Sequence, residues 1–437
     1  MTATPLASPT PPAGYRWLVL LACSLAMFGC YYVFDALYPV TDALQKELGF
    51  SDTQIGLLDT AYNVAAVLTL IAGGVLVDRL GTPRAALLFA AIGALGTLGI
   101  AVFPALVPGS PALAMAAGRF LLGVGSELFI VAATTVVGRW FKAREISFAL
   151  ALQLLLGRCG SLVADKSPGL FSDLFTSWQP PLLLAASIGG AWFVFAAIYA
   201  FLDGRAARNY GMRSMGTTDK LVLKDLFKYS SSYWIVVGLC VAFYATIFPF
   251  RTFANLYLTQ VHGQTDEAAG NLKSWLPLLS MIGMPLFGLL ADFAGRRATM
   301  MVAGAALLVP PFLFMGFTDL PLELSMGMLG VAFALVPAVL WPAVTYLVSE
   351  ERLGSAYAMM TFCQQIGWMG MSAGLGFAND LAGASKEHPA GWTPFVLILA
   401  LLAAAGFLCA LLLWRSEHGP NARGLERARI DAPPPAA

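Results

Sequence analysis

The feature that most constrains this chain is a succession of apolar stretches, each long enough to cross about 30 Å of hydrocarbon. They fall at about 17–40, 53–76, 83–104, 111–137, 145–170, 180–203, 232–258, 269–292, 298–317, 321–348, 353–381 and 391–415. Inside a bilayer each span must satisfy its own backbone hydrogen bonds, so only the helix is open to it. The expected fold is an all-α polytopic membrane protein with twelve transmembrane helices. Composition agrees: only 12% of residues are charged, against about 25% in a soluble domain. A net charge of +1 argues against a nucleic-acid partner. His262, His388 and His418 fall in predicted loops or the tail, so neither a metal cluster nor a histidine-based catalytic group is expected. The six cysteines all lie in apolar stretches and read as small core residues rather than a disulfide framework. No nucleophile–base pair is apparent, so an enzyme is not expected, and no cofactor is.

Lys and Arg set the orientation. Nineteen of the 26 lie on the face that holds both termini, and only Lys46 and Lys386 lie in the opposite loops. Both termini are therefore expected in the cytoplasm. The longest polar connection follows the sixth span and divides the chain into five parts. These are a disordered tail (1–16), a six-helix half (17–203), a cytoplasmic linker (204–230), a second six-helix half (231–415) and a disordered tail (416–437). The linker segment 221–228 reads as a short interfacial helix.

A repeat marks the two halves. Gly74, Asp78, Arg79 and Gly81 follow the second span; Gly288, Asp292, Gly295 and Arg297 follow the eighth. The two aspartates are expected to cap cytoplasmic helix ends, with Arg79 or Arg297 as partners. Parallel repeats of this kind bind substrate near the midplane. The glycines Gly118, Gly123, Gly125, Gly157 and Gly160 fit close helix approach. A nucleotide-binding use of them is excluded, because no strand precedes them.

Charges inside the spans are costly and usually functional. Glu127 and Arg158 each lie about 15 residues from the hairpin centred near residue 142, so in antiparallel helices both reach one depth, roughly 20 Å in. They suit a substrate with both charges: Glu127 for an ammonium, Arg158 for a carboxylate in a bidentate fork. The alternative is a structural ion pair. The same counting sets Asp165 level with Arg119, as a brace. It also places Asp35, Asp59, Arg251 and Lys273 near the outer side. These four are expected to form an acidic lip and a basic lip of an outer gate, or two separately solvated rims. Asp59 has a second reading as a proton carrier. Tyr62, Tyr244, Trp341, Gln153, Gln364 and Gln365 are candidates to line a cavity, with simple packing as the alternative.

Twelve helices with this doubled turn resemble the major facilitator superfamily. A narrower resemblance is carried by the run 118–127, by Trp140-Phe141-Lys142, Gln153-Leu154, Arg158-Cys159-Gly160-Ser161, Phe28-Gly29-Cys30-Tyr31 with Asp35, Phe248-Pro249-Phe250, Trp341-Pro342 and Leu353-Gly354-Ser355-Ala356-Tyr357. These blocks are similar to the lysosomal dipeptide uniporter group (major facilitator superfamily domain-containing protein 1). That group has Asn-Pro after its first-helix aspartate, where this chain has Ala36-Leu37. The resemblance implies that Glu127 and Arg158 hold the two ends of a dipeptide and that transport is uniport.

The expected function is alternating-access transport of short peptides, most of all dipeptides. The alternatives are a proton-coupled symporter or exporter of amino acids or small organic anions, and a transport-dead sensor or scaffold. An Ala- and Gly-rich chain whose first 16 residues lack an acidic dileucine signal points to a bacterial member in the cytoplasmic (inner) membrane. It is expected as a monomer without an accessory subunit, partnered by the lipid bilayer and the zwitterionic substrate.

Overall fold

The computed structural model describes residues 13–141, 145–210, 229–349, 352–420 and 422–427. Among them the long apolar stretches are helices: α1 (Ala13–Asp35), α3 (Asp52–Leu80), α4 (Thr82–Leu106), α5 (Pro111–Phe141), α6 (Ile146–Leu170) and α7 (Gln179–Tyr210), then α8 (Ser231–Gln260), α10 (Trp275–Ala294), α11 (Arg297–Phe317), α12 (Leu322–Leu347), α13 (Leu353–Ala382) and α14 (Thr393–Glu417). Two short helices complete the order, α2 (Thr41–Leu48) and α9 (Asp266–Lys273). The expected interfacial helix at 221–228 lies outside the described residues, as do Gly74 and Asp78 beyond their backbone.

Proline explains where two expected spans break. The first span does not run unbroken to residue 40. It leaves the α-helix at Asp35 and resumes as a 3-10 turn at Tyr38–Val40, because Pro39 has no N–H to offer the Asp35 carbonyl. Likewise Pro277 cannot donate to Lys273, and the eighth span divides into α9 and α10 around Ser274.

Among the described residues, ten stretches are long and apolar enough to span. Polar groups line α3 and α13, with Asp52, Asp59, Thr60 and Asn63 on α3 and Gln364, Gln365, Ser372, Asn379 and Asp380 on α13.

The chain packs as two compact units, and they do not coincide with the sequence halves. The first comprises Met1–Asp35, Leu68–Ser161 and Leu182–Thr218; the second comprises Ala36–Val67, Leu162–Pro181 and Asp219–Ala437. In the first unit, α4 and α5 approach through facing glycines. A Cβ on Gly125 would lie 2.5 Å from the Cα of Gly93, and one on Gly118 would lie 2.6 Å from the backbone N of Ile100. Trp192, fully buried, fills the groove that Gly93 leaves and meets Phe129 edge-on at 5.3 Å. At the end expected to be cytoplasmic, Arg139 pairs with Asp203, and Trp140 Nε1 donates to the same carboxylate at 2.9 Å.

In the second unit α8 forms the buried centre. Its N-terminus is capped by Ser230, whose hydroxyl accepts the Tyr233 N–H at 3.4 Å. The second turn motif closes as an ion pair, Asp292 with Arg297 at 2.9 Å, and the Arg297 guanidinium lies 4.7 Å from the Tyr346 ring centroid. Both turns need their last glycine: Gly81 and Gly295 take φ of 75° and 64°, which a Cβ disfavours. Arg79 is exposed, and Gly288 borders open space.

Part of the C-terminal segment expected as a disordered tail is fixed instead. Glu417 accepts the backbone N–H groups of Arg423, Gly424 and Leu425 at 2.9–3.1 Å, and Leu425 is fully buried. Glu426 receives the Thr299 N–H at 2.8 Å, which caps the first turn of α11.

Candidate functional site

Within the first unit, α5 presents Glu127 and α6 presents Arg158, and both are half-buried. Two further charges on these helices differ: Arg119 and Asp165 have no exposure at all. The two half-buried groups meet around the Cys30–Tyr31 segment of α1. The Arg158 guanidinium lies 5.7 Å from the Tyr31 ring centroid, and the Tyr31 phenol is within electrostatic reach of Arg158, Glu127 and Asp35. Gly157 and Gly160 let α6 come this close to α1: a Cβ on Gly160 would lie 3.1 Å from the Phe28 carbonyl carbon. A cation on an aromatic face keeps its charge while its plane is held. Tyr31 is not among the site residues expected from the sequence. The signal was present in its quoted motif and in its place one helical turn before Asp35.

Gln153 is only 3% exposed, and its amide donates to the Ala133 carbonyl at 3.2 Å. That bond braces α6 on α5, which fits the packing alternative.

In the second unit an aromatic group gathers around α8, α12 and α13. Trp341 Nε1 donates to the Tyr244 hydroxyl at 2.9 Å, and the Tyr357 hydroxyl donates to the Trp341 carbonyl at 3.0 Å. Phe248 stacks on Trp368 at 4.0 Å and on Tyr244 at 5.8 Å. Gln364 accepts from the Cys240 thiol at 3.6 Å; Gln365 and Tyr62 are buried.

The charges expected near the outer side also lie in the second unit, Asp35 excepted, and their partners differ from those expected. Arg251 and Lys273 both engage Asp165 of α6: Arg251 Nη2 donates to Oδ2 at 3.1 Å, and Lys273 Nζ lies 3.0 Å from Oδ1. Asp165 was expected beside Arg119. Arg119 instead donates Nη1 to the Phe34 carbonyl at 3.0 Å, with its guanidinium 5.1 Å from the Phe34 ring. Asp59 accepts hydroxyls from three elements. Tyr38 donates at 3.2 Å, Ser372 lies at 3.5 Å, and Thr252 donates as well. Lys273 Nζ in turn sits 5.2 Å from the Tyr38 ring centroid. The result is a ring running Asp59, Thr252, Arg251, Asp165, Lys273, Tyr38 and back. Its four charged members are at most 1% exposed. Depth counting does not reveal the hydroxyls of Tyr38, Thr252 and Ser372, which have no charge to mark them.

Comparison with known proteins agrees with this architecture. The sequence profile of the Major Facilitator Superfamily matches residues 23–371. The lysosomal dipeptide transporter MFSD1 of Danio rerio is 28% identical over 429 residues, which cover 96% of this chain and 92% of that protein. The Homo sapiens protein of the same name is 28% identical over 382 residues, covering 84% and 81%. Among solved structures, the nucleoside transporter NupG superposes with a TM-score of 0.72 at 17% identity, over 91% of this chain and 98% of that one. A bacterial homolog of the human lysosomal transporter Spinster, inward-facing and unoccupied, gives 0.71 at 17% identity, over 94% and 100%. The chain is a multi-pass membrane transporter and belongs to the major facilitator superfamily.

Proposed function

We propose that this transporter carries dipeptides by facilitated, uniport-like alternating access, with Glu127 receiving the substrate ammonium and Arg158 its carboxylate. The observation that supports this most is the half-exposure of this acid–base couple beside Tyr31, where Arg119 and Asp165 on the same two helices are sealed. A purely structural buried pair would gain little over apolar packing. A dipeptide places its charged ends about two residues apart, roughly 7 Å of extended chain, so it fits between partners that would otherwise close on each other. Relatives at 28% identity that bear the name dipeptide transporter support the same substrate class. Trp341 and Tyr244, with Gln364 and Tyr62, are proposed as further substrate-binding residues, on which apolar side chains would rest with loose specificity.

The ring of Asp59, Asp165, Arg251 and Lys273 is proposed as the outer gate, with Asp35 as a further acid near the outer side. We place the protein in a bacterial inner membrane with both termini cytoplasmic, as a monomer.

The test is thermal stabilisation of the purified transporter by a panel of dipeptides and free amino acids. Dipeptides are expected to raise Tm, and Glu127→Gln is expected to abolish the rise. Without any dipeptide effect on the wild type, the substrate assignment fails. Counterflow of a labelled dipeptide in proteoliposomes lacking a proton gradient is expected to proceed. Strict dependence on a gradient would instead point to proton coupling.

A further inference from the structure

The transport reading does not use the contact between the first turn of α3 and the last turn of α13, both in the second unit. Asp380 spends both carboxylate oxygens there: Oδ1 accepts the Asp52 N–H and Oδ2 the Thr53 N–H, each at 2.9 Å. These N–H groups open α3 and have no partner inside their own helix. A carboxylate also suits the positive end of the helix dipole.

Deeper in, the two backbones close on each other with no side chain between them. A Cβ on Gly376 would lie 2.8 Å from the Asp52 carbonyl carbon, and one on Gly56 would lie 2.9 Å from the Ser372 carbonyl carbon. Thr60 Oγ1 then donates to the Met369 carbonyl at 3.2 Å. The contacts recur at about four-residue steps on both helices, which is one continuous face of each. This zips the outer part of α3 onto α13.

A second acid sits at the head of the zipper. Asp52 is 2% exposed, and its carboxylate accepts from the Gln45 amide of α2. The groups facing it are Asn379 and Asp380 of α13 and Gln45 of α2, and of these Asp380 is the one charge.

We propose that the Asp52–Asp380 pair is a proton-operated latch on the outer gate, holding α3 to α13 when the outer solution is acidic and releasing them when it is neutral. The latch rests on the gate assigned above. Asp52 stands ahead of the apolar span 53–76, at the aqueous end of its helix. Burial pushes its carboxyl up, and the Asp380 charge adds to this against the hydrogen bonds from Asn379 and Gln45, bringing it to about 6. Once the helices part, water restores the ordinary carboxyl value of about 3.9. The zipped state therefore binds more protons than the parted one. It gains as pH falls through about 6 and stops gaining below the solvated value. Between about pH 8 and about pH 5, the ratio of zipped to parted molecules is expected to rise about tenfold.

The experiment is pulsed electron–electron spin distance measurement in nanodiscs. The labels go on Leu57→Cys of α3 and Leu320→Cys of the loop before α12, both exposed positions, with the native cysteines replaced. The wild-type background is expected to show a longer-distance population whose ratio to the short-distance one falls about tenfold from about pH 8 to about pH 5. Asp52→Asn should stay in the short-distance state at both pH values. Asp380→Asn should move the midpoint to lower pH and guards against misfolding of the first variant. A distribution that ignores pH in the wild type, or a shift that survives in Asp52→Asn, overturns the latch. The measurement needs no peptide, so it fails or succeeds independently of the substrate assignment.

Discussion

Arg158 holds a planar fork of donors on the face of Tyr31, at 5.7 Å. A lysine at this position would keep the charge but lose the paired geometry. Arg158→Lys is therefore expected to weaken dipeptide binding about tenfold to a hundredfold, since charge-assisted hydrogen bonds contribute about 1.5–3 kcal/mol. Calorimetric titration reads this directly. The aromatic face and the phenol hydroxyl of Tyr31 can be separated. Tyr31→Phe keeps the face and is expected to hold affinity within about threefold, while Tyr31→Leu should lose about three- to thirtyfold. Equal losses in both variants would move the role from the ring to the hydroxyl.

At the scale of elements, the outer ring binds α3, α6, α8 and α9 through charges that are all sealed from solvent. Removing one partner of such a group leaves its opposite uncompensated, at a cost of about 3–5 kcal/mol. Asp165→Asn is expected to lower Tm strongly, and adding Lys273→Met should restore part of the loss because the sum of charges returns to zero. A double-mutant cycle on Tm is the check, and strictly additive losses would show that Asp165 and Lys273 do not act together. Asp165 also shows what a sequence can reveal. Counting along helices of fixed rise gives depth, which sets Glu127 level with Arg158 and Arg251 level with Lys273. Depth carries no azimuth. Which of two cations at a similar level meets Asp165 depends on how α6 turns about its axis, and that is settled by packing. The Asp52–Asp380 contact was invisible for a related reason: it joins helices far apart in sequence, although Gly56, Thr60, Gly376 and Asp380 already stood at four-residue spacing. Proline breaks at Pro39 and Pro277 were readable in principle, since each removes a donor at a known position.

At the scale of the whole molecule, the twelve long helices and the doubled turn were legible because hydrocarbon permits few solutions and because lysine and arginine mark one face. The partition into compact units was not legible. The first half of α3 and the last turns of α6 join the second unit through polar contacts such as Asp59 with Thr252 and Asp165 with Arg251, which hydropathy does not register. The outer ring has one further consequence. Asp59 and Asp165 against Arg251 and Lys273 sum formally to zero. Each elementary charge carried through a membrane potential exchanges about 2.3 kcal/mol per 100 mV. A gate whose opposite charges travel together along the membrane normal exchanges none of this, so the empty carrier is expected to return at the same rate in polarised and depolarised vesicles. An electrophysiological trace on a solid-supported membrane should then show no current from gating in the absence of substrate, and Lys273→Met should make one appear.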